Sequence, residues 1–331
     1  MSAARAALDH VLTVVAGSPL AESLVLRGSM TLPAWIGEAA RPPGDLDWIV
    51  RAPDAVPLAD LDPGPFFDRL HPVQLWPEAV HGAARNEIWE FEEFDTGGNR
   101  CRLPPEGLRW MPATELGEAY EDIGEHEFAE LLRESPRSPS GVEFLPSEIG
   151  FASDGDYADY WADPATLDRR VRLTLPWRAP DGSEGAVQVD LACGEPLPDP
   201  PVCTAVRRAG DQPPLGLWTA SRELSLAWKL HWLAADQRRD GRSAMKDLYD
   251  AVLLAELPDL RLSRRLQRVA LGSPPADSSP ASPLLHPAVI PTWRIAGAPP
   301  GGGDSAPWLD RLADAAERLL PAIPAPAAPS P

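Results

Sequence analysis

Leu24-Val25-Leu26-Arg27-Gly28-Ser29, followed by Arg41-Pro42-Pro43-Gly44-Asp45-Leu46-Asp47-Trp48-Ile49-Val50, is the stretch that decides the fold. Residues 23–27 read as a short buried strand and Gly28-Ser29 as a tight turn. Met30 to Ile36 reads as a helix, residues 41–44 as a loop, and Leu46 to Val50 as a second strand. Strand, turn, helix, strand is the order of a small α/β unit. Asp45 and Asp47 stand two residues apart where the second strand begins. Alternation along a strand sends positions i and i+2 to one face, so the two carboxylates converge.

Working outward, Ala3 to Ala16 carries apolar residues at helical spacing and stops at Gly17-Ser18-Pro19. Residues 1–56 are therefore read as the first part of a sheet domain that residues 141–200 complete. Residues 57–140 read as an acidic insertion. Within it, Glu87 to Glu92 alternates apolar and acidic residues, Thr96-Gly97-Gly98-Asn99 follows, and Arg100 to Leu103 resumes the extended pattern, which predicts a hairpin. Glu125 to Arg133 reads as a short acidic helix. Residues 141–200 hold the second half of the sheet, as strands over Arg169–Trp177 and Gly185–Ala192 joined by a turn at residues 178–183. Residues 201–272 are predicted as a C-terminal helical domain, with helices over Ser221–Asp236, Ser243–Glu256 and Ser263–Ala270. A Pro/Gly-rich linker at 273–303, a helix at 304–321 and a tail at 322–331 complete the chain.

The bulk properties narrow the function. The chain has 331 residues, 40 prolines and a formal net charge of −19. The prolines gather at 196–214, at 274–300 and in the closing residues, which read as loops, linkers or disorder. So acidic a chain is not a general nucleic-acid coat protein, because phosphate contacts need Lys and Arg. The charge is uneven, however. Residues 203–271 carry 12 Lys and Arg against 8 Asp and Glu, and residues 87–136 carry 14 acids against 4 bases. Three scattered cysteines, Cys101, Cys193 and Cys203, suggest neither a disulfide framework nor a zinc site. No apolar run reaches membrane-spanning length and no hydrophobic signal core opens the chain, so a cytoplasmic protein with no membrane partner is expected.

A third carboxylate, Asp190, ends the alternating run Ala186 to Val189. Three acids on one sheet beside a Gly-Ser turn suit Mg²⁺-dependent phosphoryl transfer. Mg²⁺ prefers hard oxygen ligands and leaves coordination positions for water and phosphates. Lys229, taken by itself among Leu226, Leu230 and Leu233, reads as a cation snorkelling from an apolar helix face.

Taken together, these blocks resemble the AbiEii/AbiGii-type toxins of the polymerase-β-like nucleotidyltransferase superfamily. The opening Leu24 to Leu32 and Arg41 to Asp47 resembles that family's strand, Gly-Ser turn, helix, Arg and Asp-hydrophobic-Asp. Residues 142–149, Val187 to Gly194, Leu226 to His231, Arg242, and Met245-Lys246-Asp247-Leu248-Tyr249-Asp250 resemble further blocks in the same order. The sequence departs from the family pattern at Pro43, Gly44 and Trp228 and in the length of its insertion. The resemblance implies an α+β fold: a mixed sheet of the polymerase-β-like nucleotidyltransferase type with flanking helices, then a C-terminal helical domain. It implies Asp45, Asp47 and Asp190 as ligands of Mg²⁺, with Mn²⁺ as the substitute ion. It also implies catalytic roles for Lys229 and Asp247, and contacts to a nucleoside triphosphate from Gly28, Ser29, Arg41, Lys229 and Lys246.

The activity so implied is transfer of a nucleoside monophosphate from an NTP to an acceptor hydroxyl, with release of pyrophosphate. The acceptor would be tRNA or another RNA, and the toxin would be neutralised by a cognate antitoxin of a type IV system. Two alternatives stay open at this point. One is a small-molecule nucleotidyltransferase of the antibiotic-modifying kind, which the acidic bulk would suit. The other is an inactive relative that binds a nucleotide or a partner protein.

Overall fold

The computed structural model of the protein describes residues 2–50, 64–67, 108–111, 125–153, 169–193, 195, 197–272 and 284–320. Helix α1 (Ala3–Ala16) is capped by Ser2, whose hydroxyl accepts from the Arg5 amide, and a short helix α2 (Leu20–Ser23) leads into strand β1 (Leu24–Arg27). A 3₁₀ turn at Gly28–Met30 and helix α3 (Leu32–Ile36) precede β2 (Leu46–Val50). Strands β3 (Gly64–Phe67) and β4 (Leu108–Met111) pair antiparallel with each other. Helix α4 (Glu125–Glu134) leads to β5 (Glu143–Phe144), β6 (Gly150–Ser153), β7 (Arg169–Arg178) and β8 (Glu184–Cys193). Strands β9 (Val202–Val206) and β10 (Leu215–Thr219) follow. Then come helices α5 (Arg222–Asp240), α6 (Met245–Ala255), α7 (Arg264–Leu271) and α8 (Ala306–Leu319), with a small parallel pair, β11 (Ser243–Ala244) and β12 (Ile295–Ala296).

The main sheet has the order β5-β7-β8-β2-β1-β10-β9, with β6 also paired to β7. It is mixed. β2 runs parallel to β8 and β1 parallel to β10, while β1–β2, β7–β8 and β9–β10 are antiparallel. Each face buries its own apolar set. Leu24, Leu26, Trp48 and Val189 pack against α1 and α4, whereas Val25, Ile49 and Ala192 pack against the C-terminal helices. Side-chain alternation then places Arg27, Asp47 and Asp190 on the helix-covered face with Val25, Ile49 and Ala192.

Four expectations need correcting. The Pro-rich stretch at 196–214 is not simply a loop, because it contains β9, and β10 follows it into the sheet. Its prolines flank the strands rather than interrupt them, so no ladder donor is lost. The helices after Ser221 share one apolar core with the sheet, so they form a third layer and not a detached domain. Residues 284–300, read as linker, bury Leu285, Ile290 and Trp293 in that core. Finally, α4 belongs to the sheet domain and not to an insertion, since Phe128 and Leu132 are buried against α1 and the sheet. The hairpin expected at 87–103 and the tail at 322–331 lie outside the described residues.

Phe128 is fully buried. Phe128→Ala should lower unfolding stability by about 3–5 kcal/mol in urea titration, the cost of a large core cavity. A change below about 1 kcal/mol would show that α4 is not part of the core.

Candidate active site

The first βα turn fixes two acids. β1 and β2 set Arg27 opposite Asp47, and β2 and β8 set Asp47 opposite Asp190. Adjacent strands lie about 4.8 Å apart, so in-register residues on one face are immediate neighbours. Gly28 has φ +75°, and a Cβ there would lie 2.1 Å from Asp47 Oδ2. Only glycine fits, for its backbone angle and because the carboxylate takes the space a side chain would need. Ser29 is 2% exposed, and its hydroxyl donates to Asp45 Oδ1 at 3.2 Å. The turn thus gives one residue to each acid of the pair.

These carboxylates repel one another. Burial, then Asp45, and then Asp190 push the Asp47 carboxyl up to about 6, against the opposing pull of Arg27 and Lys229. No hydrogen bond from a described residue offsets that rise. Asp190 is held differently. Arg172, its cross-strand partner on β7, donates through Nε at 2.7 Å and Nη2 at 3.2 Å, and Gln188 Nε2 donates at 2.8 Å. Arg27, 7% exposed, pairs with Glu195 and lies 5.3 Å from the Trp228 ring centroid, while Arg170 Nη2 holds the other Glu195 oxygen at 2.8 Å.

Lys229 comes from the middle of α5 and is 6% exposed. Its ammonium contacts Asp247 Oδ1 at 2.6 Å and Asp250 Oδ2 at 3.1 Å. Burial alone would lower its pKa, but Asp247 and then Asp250 outweigh burial and hold it above the ordinary lysine value. Asp247 moves the other way: burial would raise it, and the Lys229 charge brings it below the usual carboxylate range. Asp250 is fully buried and also accepts from Arg41 Nε at 3.1 Å and Nη2 at 3.0 Å. Arg41 sits in the loop that delivers Asp45, so this four-residue network ties that loop to α6.

Residues 125–275 match the family model described as "Nucleotidyl transferase AbiEii toxin, Type IV TA system". The mixed sheet flanked by helices agrees with a nucleotidyltransferase fold of the α+β kind. No curated protein matches the chain. The matched AbiEii segment contains Asp190, Lys229, Lys246 and Asp247, whereas Gly28, Ser29, Arg41, Asp45 and Asp47 precede it. The register between β2 and β8 joins the two groups at Asp47 and Asp190.

Some predicted residues stand elsewhere than expected. Lys229 lies between two acids and does not snorkel to solvent, and its field reaches Asp47. Arg41 is engaged by Asp250. Lys246 is exposed on α6. Arg27, Arg172, Gln188, Glu195 and Asp250 were not predicted as site residues. A signal for Arg172 existed, because counting outward from the turn centred on Asp181 pairs it with Asp190.

The donor set suits a hard divalent ion at Asp45 and Asp47, which offer oxygens in a cluster with surplus negative charge. Asp190 already accepts three hydrogen bonds. Among the described residues no three His, Cys, Asp or Glu side chains converge as a metal cage.

Two predictions follow from this electrostatic layout. A carboxyl at about 6 when folded, against 3.8 as its ordinary value, binds an extra proton in the folded state between those pH values. Stability therefore falls as pH rises through that window, and the charged carboxylate costs stability above it. In EDTA, Asp47→Asn should raise stability by about 1–3 kcal/mol at pH 7–8, with the gain vanishing below about pH 4. Asp250→Ala should cost about 3–5 kcal/mol, because Arg41 and Lys229 then share one acid in a buried site. A loss under about 1 kcal/mol by calorimetry would show the network to be dispensable.

Proposed function

We propose that the protein is a Mg²⁺-dependent nucleotidyltransferase. It moves a nucleoside monophosphate from an NTP to a hydroxyl of tRNA or another RNA, releasing pyrophosphate, as the toxin partner of a cognate antitoxin. The observation that carries the reading is a Gly-Ser turn that seats Asp47 and orients Asp45, with Asp190 in register on the next strand, in a chain whose residues 125–275 match the AbiEii toxin model. Among the described residues no helix is long and apolar enough to cross a membrane.

Asp45 and Asp47 would hold the metal. When bound, Mg²⁺ supplies Lewis-acid stabilisation of charge on the phosphates. Ser29 fixes the orientation of Asp45, and Gly28 leaves the space in which the Asp47 carboxylate sits. Lys229, charged and locked in place, contributes a preorganised positive potential at the acids rather than a side chain that must reorganise. Exposed arginines on α7 (Arg264, Arg265 and Arg268) offer positive charge to an RNA backbone on a chain that is otherwise acidic.

Incubation of the protein with each labelled NTP, Mg²⁺ and total RNA tests this. Label should enter RNA with one or two NTPs, and both Asp47→Asn and Gly28→Ala should reduce incorporation to background. Labelling of a cationic small molecule instead of RNA would replace the RNA acceptor. Absence of any transfer, with NTP binding intact, would make the protein a nucleotide-binding relative.

A further inference from the structure

The three acids of the cluster are not equivalent, and the difference lies in Arg172. This residue faces Asp190 across the β7–β8 ladder, and its guanidinium contacts both carboxylate oxygens. A bidentate pair of this kind is short, directional and charge-assisted. Gln188 completes the set from two residues earlier on β8. The Asp190 side chain is 11% exposed and that of Arg172 is 36% exposed, so the pair stands at the mouth of the site. Asp47, one strand away in register, has different surroundings: burial, Asp45 and Asp190 on one side of the balance and the charges of Arg27 and Lys229 on the other, with no hydrogen bond from the described residues.

A divalent ion on Asp190 would have to share oxygens with a guanidinium already seated there. The two cations would repel at contact distance. The same ion at Asp45 and Asp47 meets two adjacent carboxylates, and the nearby cations Arg27 and Lys229 are each paired with other acids. We infer that Arg172 is a built-in cation for Asp190, so that the cluster takes a single divalent ion, on Asp45 and Asp47. Arg172 is thereby a positioning residue: it replaces a second ion with a protein side chain and holds Asp190 in the second layer. The inference rests on the metal-dependent reading of the site.

Mn²⁺ titration of the full-length protein tests it, with free Mn²⁺ counted by electron paramagnetic resonance and no turnover required. Wild-type protein should bind one Mn²⁺ per chain. Asp47→Asn should weaken that binding by about tenfold or more, as loss of a direct ligand does. Asp190→Asn should weaken it less than Asp47→Asn does, because nearby charge is lost but no ligating oxygen. Arg172→Gln should bind a second Mn²⁺, whereas Arg172→Lys, which keeps the charge, should bind one. Two ions on wild-type protein, an Asp190→Asn loss equal to that of Asp47→Asn, or no second ion in Arg172→Gln would each overturn the inference and leave the metal-dependent reading standing. Wild-type protein that binds no Mn²⁺ would overturn both.

Discussion

The contact between the Asp47 carboxylate and the empty side of Gly28 is the constraint on which the site depends. The carboxylate occupies the place of a missing Cβ, so turn and acid can coexist only while position 28 has no side chain. The positive φ of Gly28 turns the chain so that Ser29 can reach Asp45. The backbone thereby prepares both acids before any ligand arrives. The cost appears at Asp47, whose carboxyl is pushed up to about 6 by burial and by its acidic neighbours. Strain of this electrostatic kind is common where a protein is arranged to receive a cation.

Around that cluster the protein places its own positive charges at graded distances. Arg172 is in direct contact with Asp190, Arg27 lies across the ladder from Asp47, and Lys229 acts from the helical layer. Each of these cations is itself paired: Arg172 with Asp190, Arg27 with Glu195, and Lys229 with Asp247 and Asp250. Pairing fixes their positions and limits how far any one can move toward a substrate. The arrangement favours preorganisation over reach.

Much of this was legible in the residues. The strand over Leu46–Val50, the β7–β8 hairpin and the last helix were readable because alternation or helical spacing was uninterrupted and turn residues bounded them. β9 and β10 were hidden by the prolines around them, since a Pro-rich composition signals a loop even where the prolines only flank a strand. The placement of α4 was hidden for another reason. Its acidic exposed face dominates the local charge, while, of its described residues, only Phe128, Ala129 and Leu132 are buried. At the site, the acids stood out by spacing within one segment, but their partners did not. Arg41 and Asp250 are 209 residues apart, and nothing local marks either as the other's counter-ion.

That separation has a consequence for when the site comes into being. The loop that carries Asp45 is fastened through Arg41 to a helix made some two hundred residues later. A chain emerging from the ribosome presents its N-terminal half first. Until α6 has been synthesised and has docked, Arg41 has no Asp250 to hold, Lys229 has neither of its acids, and the acidic pair lacks its anchor. Closing so long a loop is also entropically late among folding events. Incomplete translation products therefore carry Asp45 and Asp47 without the long-range contact that fastens their loop.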